Sequence, residues 1–222
     1  MLPYESALHD VLREVRDSPF LRVVHEKVGP GGSGGDVSGL FEILEEDGFP
    51  IEKRLQEAYF PYRYFSLYWV DLDSSIDLAG EFSVMNIVVS SERKLLNLDD
   101  FSWHESDRKL LSELSIVDDI SRGGNGQLAT MRFRHGVSNP EVWYLDRFHT
   151  YVKLDLDYRG YLDQLFVTKG VLGWQYLFAD VALGEREYEN VVRNLRMMLD
   201  MFPRYFPGWD YSPLAERLEA RL

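Results

Sequence analysis

Gly123-Gly-Asn-Gly126, Gln127-Leu-Ala-Thr-Met-Arg-Phe-Arg134, Pro140-Glu-Val-Trp-Tyr-Leu-Asp146 and Gly173-Trp-Gln-Tyr-Leu-Phe178 punctuate one continuous stretch whose reading decides the fold. A glycine turn introduces an alternating run, and a loop leads to an aromatic run. A stripe of Tyr158, Tyr161, Leu162, Leu165 and Phe166 follows, and Thr168-Lys169-Gly170 closes it. Alternation with period two marks strands, while recurrence at three and four residues marks an amphipathic helix. The stretch carries no obvious catalytic group. It reads as a scaffold that holds a surface.

Working outward, Tyr4, Leu8, Val11, Leu12 and Val15 predict a helix over Pro3–Arg16, with proline suited to its first turn. Phe20–His25 reads as a strand or a second short helix. Gly29-Pro-Gly-Gly-Ser-Gly-Gly35 reads as a linker, because glycine there bends freely and packs nothing. Val37–Glu46 predicts a helix ending at Gly48 and Pro50. Tyr64–Asp71 and Phe82–Val89, rich in aromatic and β-branched residues, predict strands joined by a 71–80 loop. Ser102-Trp-His-Glu105 has the outline of a capping box, opening a helix that turns Leu110, Leu111 and Leu114 inward. Leu128–Arg134 and Val142–Asp146 predict further strands, with Tyr151–Leu156 extending that region. Tyr188, Val191, Val192, Leu195, Met198, Leu199 and Phe202 mark a last helix.

Helices at both ends with strands between predict an α+β fold, a central mixed or antiparallel sheet flanked by helices. Three parts are expected: a helical extension and glycine-rich linker over 1–35, the α+β domain over 36–182, and a helical extension over 183–222 packed on the same domain.

The 222 residues contain no cysteine, which rules out disulfides and cysteine-based zinc sites. Met1-Leu-Pro-Tyr-Glu5 lacks the basic start and apolar run of a signal peptide, so the expected address is cytoplasmic, without membrane insertion. Net charge is -13, and residues 36–120 hold 19 acidic against 7 basic side chains. Such a field repels nucleic acid and steers a basic partner inward. Acidic loops that merely keep the chain soluble are the bland reading of the same block.

Motifs for catalysis are weak. Gly31-Gly-Ser33-Gly-Gly35 matches a nucleophile elbow in letters, but it lacks the preceding sheet that would strain the serine. His25-Glu26 begins a zinc-protease motif, yet position 29 is glycine. His104 and Asp107 can share a helix face, and two ligands do not make a metal site. Asp71/Asp73 and Asp155/Asp157 pair carboxylates two residues apart, as glycoside hydrolysis or a cation site would need, but acidic residues favour strand ends for turn formation alone. Five tryptophans point first to core packing, with Trp103 the one expected in solvent. No metal, cofactor or catalytic residue is expected.

The glycine turn before a strand, the aromatic Val142-Trp-Tyr-Leu-Asp146 and the following helix with Tyr161-Leu-Asp-Gln-Leu165 resemble the SUKH superfamily. That superfamily includes the Syd protein, yeast regulators of cell-wall assembly and many bacterial immunity proteins. Trp174-Gln-Tyr-Leu-Phe178 is similar to the tail of several members, and Phe49 to Trp69 to the family's early helix and first strand; the resemblance covers 37–182. It implies a mostly non-enzymatic protein that neutralises a nuclease- or deaminase-type toxin by direct contact. The acidic charge fits a basic toxin domain as partner. The expected contact residues are Asp71, Asp73, Asp77, Asp99, Asp100, Asp118 and Asp119, with Trp103 and Tyr68 as anchors. A Syd-like scaffold for an endogenous protein is the second expectation, and a carbohydrate-active enzyme the third.

Overall fold

Seven strands follow one another in space in the order they occur in sequence, so each needs only a local connection to find its partner. They are β1 (Leu21–Val28), β2 (Tyr64–Asp71), β3 (Ala79–Met85), β4 (Leu114–Ile120), β5 (Gln127–Arg132), β6 (Glu141–Leu145) and β7 (Tyr151–Lys153), all antiparallel. The computed structural model describes residues 2–31, 37–73, 75–95, 105–123, 126–146 and 151–222. Its helices are α1 (Pro3–Asp17), α2 (Val37–Glu46), α3 (Lys53–Gln56), α4 (Ile87–Glu92), α5 (Glu105–Glu113), α6 (Tyr158–Thr168), α7 (Glu189–Tyr205) and α8 (Ser212–Glu219). The fold is α+β with an antiparallel sheet, as the sequence predicts. No helix among the described residues is long and apolar enough to cross a membrane.

Alternation along the strands creates the main core. Phe65, Leu67 and Trp69 of β2, Phe82 and Val84 of β3, and Val142 and Tyr144 of β6 point to one face. There they meet Leu8 and Val11 of α1, Tyr161 and Leu165 of α6, Leu195 and Phe202 of α7 and Leu214 of α8 in a single buried cluster. On the other face a smaller cluster of Leu111, Leu114 and Leu145 lies where α5 leads into β4. Gly80 sits opposite Trp69, and a Cβ there would come within 2.4 Å of the indole. Glycine is what lets that ring lie over the sheet and donate from Nε1 to the Lys169 carbonyl at 2.8 Å.

Several local expectations are corrected. The strand expected over Phe82–Val89 ends at Met85, because the Asn86 side chain accepts the Val89 amide at 2.9 Å and caps α4. Leu114 is not helical: it opens β4, a strand the sequence reading missed. Phe20–His25 resolves as strand β1, and α8 adds a terminal helix whose Leu214 and Leu218 are buried. The first part of the glycine linker is tied down, with the Gly29 amide donating to the Tyr64 carbonyl at 2.8 Å and Gly31 bridging Tyr62. Its remainder, 32–35, and the cap at Ser102 lie outside the described residues.

Candidate functional site

The acidic residues singled out from sequence separate into two places. Asp71, Asp73 and Asp77 belong to the β2–β3 connection. The Asp71 carboxylate is 8% exposed and accepts from the Tyr205 hydroxyl and the Asp73 amide, each at 2.8 Å. Asp73 faces solvent and accepts from the Ser75 hydroxyl and amide, bonds that hold its carboxyl below the usual range. Asp77 is exposed and lies 3.5 Å from Arg193 of α7. This loop is therefore docked on α7, with Asp73 and Asp77 outward.

Asp118 and Asp119 lie on β4. Asp119 pairs with Arg93 at 3.2 Å. Asp118 is fully buried, accepting the Ser83 amide at 2.6 Å and the Tyr161 hydroxyl at 2.8 Å. Burial, partly offset by those two bonds, pushes its carboxyl up to about 7. In this arrangement it faces the core and not a partner. Tyr68 is half-buried on the outer face of β2. Asp99, Asp100 and Trp103 lie outside the described residues.

The carboxylate pairs serve local structure. Asp157 caps α6 through the Gly160 amide at 2.7 Å and pairs with Arg54, while Asp155 lies 3.5 Å from Arg217. With Glu141 they line a hollow of about 380 Å³. Burial alone would raise the Glu141 carboxyl, but hydrogen bonds from Lys153 and Trp143 and the Arg132 guanidinium carry it below its usual range. A glycosidase acid needs the opposite shift.

A surface that the sequence reading passed over stands out on α2. Phe41 and Leu44 bury the inner side of this helix. Glu42, Glu45 and Glu46, with Asp47 just beyond its end, are all exposed, and none meets a cation among the described residues. Ile43 stands among them at 57% exposure. Beside it Leu40, Leu44, Phe49 and Val88 line a largely apolar groove of about 260 Å³, to which Asp47, Glu92 and Lys94 also contribute. The signal was present in the sequence: with Phe41 and Leu44 set inward, i+3 and i+4 spacing leaves the three glutamates and an isoleucine outward. No family model matches the chain, and no curated protein or solved structure is detectably similar to it.

Proposed function

We propose that this chain is a non-enzymatic, cytoplasmic immunity-type protein that neutralises a basic nuclease- or deaminase-type toxin by direct contact, as the SUKH resemblance implies. The observation that carries the reading is α2. Four carboxylates that form no ion pair among the described residues flank an exposed isoleucine and adjoin a largely apolar groove, which is the anatomy of a charged rim about a hydrophobic anchor. The carboxylates would steer a basic partner and set register, and Ile43 with the groove would hold it once docked. Asp73 and Asp77 remain as outlying acidic contacts of the same sign.

The test is a pull-down at low and high salt, from native lysate and with the product of any neighbouring toxin-like gene. Salt-sensitive capture of one basic toxin, lost in an Ile43→Ala, Glu45→Gln double variant, is the expected result. Salt-independent capture, or capture indifferent to both substitutions, would remove α2 from the interface. Capture of a housekeeping protein instead would favour the scaffold reading.

A further inference from the structure

Basic side chains gather on the outer face of β1–β3, where the buried Glu81 of β3 also lies. Strand β1 is an edge strand and takes an extra residue at Val24: Val23 pairs with Trp69, and His25 with Tyr68. A bulge of this kind re-aims side chains. Here it sets Arg22, His25 and Lys27 on one face, opposite Val70, Tyr68 and Ser66 of β2. Lys27 Nζ lies 5.7 Å from the Tyr64 ring centroid.

Two more cations converge from elsewhere. Arg63 lines a hollow of about 440 Å³ with Tyr64, Met85, Glu92 and Arg93. Arg122 reaches the face from the β4–β5 turn, where its amide and that of Gly123 donate to the Glu81 carboxylate at 2.8 and 2.5 Å. Burial, then Arg122 and Lys27, hold the His25 imidazole below its ordinary pKa, against the pull of Glu81. Arg22, Lys27, Arg63 and Arg122 are all exposed, and none of their side chains meets a carboxylate among the described residues. Elsewhere Arg13, Arg16, Arg54, Arg93, Arg132 and Arg159 do, whereas Arg186 and Arg196 are exposed and do not, but these two stand on separate elements and not on a shared sheet face.

Cations on an edge strand can simply deter pairing with another chain. That accounts for Arg22 and Lys27 but not for Arg63 and Arg122, which arrive from other elements. We propose that this face binds an acidic, extended protein segment laid along β1, its carboxylates on the four cations and its alternate, apolar side chains turned to the opposite face of the sheet. Edge-strand addition supplies the backbone bonds, and charge supplies the selection. A nucleic acid fits less well, since a long polyanion would run on into the field of a molecule with net charge -13.

The test uses the full chain and fluorescence anisotropy with a labelled peptide of about twelve residues alternating glutamate and valine, long enough to span the strand. Controls are its glutamine counterpart and a single-stranded oligonucleotide of equal charge. The acidic peptide should bind, and an Arg22→Gln, Lys27→Gln, Arg63→Gln, Arg122→Gln variant should weaken it about tenfold or more. An α2 variant should leave this binding unchanged, which separates it from the toxin-binding reading. Equal or tighter binding of the oligonucleotide, binding indifferent to the four substitutions, or no binding would overturn the proposal. All four side chains are exposed, so the variant keeps its fold, and circular dichroism verifies this.

Discussion

Asp118 joins the two halves of the sheet. Strands β3 and β4 pair at a single position, Val84 opposite Asp118, and β4 is irregular between Ile116 and Asp118. There the Asp118 carboxylate takes the Ser83 amide, so a side chain stands in for a ladder carbonyl. Because burial raises its folded pKa to about 7, the folded state holds a proton that the unfolded chain releases near pH 4. The unfolded state thus binds fewer protons between these values, and this residue's contribution to stability falls as pH rises from about 4 to about 7. Asp118→Asn should remove up to about 4 kcal/mol of that slope, read as the difference between wild-type and variant denaturation midpoints across the window. An identical pH dependence in the two proteins would contradict the assignment. From sequence, Asp118 was indistinguishable from Asp119 next to it. Only the unforeseen strand β4 separates the residue facing the core from the one facing Arg93.

Elements with a long apolar stripe were legible: α1, α2, α6 and α7 fall where period and punctuation put them. Where two short elements abut, composition misled. Ile87-Val-Val89 has the β-branched character of a strand, yet Asn86 turns it into a helix by taking the Val89 amide and donating its own Nδ2 to the Tyr62 carbonyl at 2.7 Å. Asn86→Ala should therefore cost about 1–3 kcal/mol in chemical denaturation, as a lost cap plus an orphaned carbonyl. A change within error would show that α4 holds through packing alone. Gly80→Ala tests β2–β3 in the same way. The indole of Trp69 occupies the place of the new methyl, so a loss of about 1–3 kcal/mol is expected from the forced shift. The bulge in β1 was illegible for a different reason. Arg22 and His25 are three apart, a spacing that strict alternation assigns to opposite faces, and only the extra residue at Val24 brings them together.

At the scale of the whole molecule, charge is segregated. The acidic block read from 36–120 does not fold into one patch. Part of it is consumed by caps, turns, ion pairs and the Asp118 seam, and among the described residues four carboxylates without an ion pair gather at α2, with Asp73 and Glu92 apart from them. The fold class was readable because it depends on periodicity summed over many residues. Which carboxylates stay free was not, because that depends on which cations arrive beside them from distant strands and helices. Arg193 reaching Asp77 across more than a hundred residues is an instance. The resulting molecule presents an acidic helix bearing an exposed isoleucine and a sheet face on which basic side chains gather.

The most direct test of the central claim is the association rate of the intact chain with a basic toxin domain, measured by stopped flow over a range of salt, beside an E42Q/E45Q/E46Q variant. If α2 steers the encounter, the wild-type rate falls steeply with salt, and the variant is about tenfold slower at low salt with a nearly flat dependence. Superimposable rates and salt slopes for the two proteins would contradict the account.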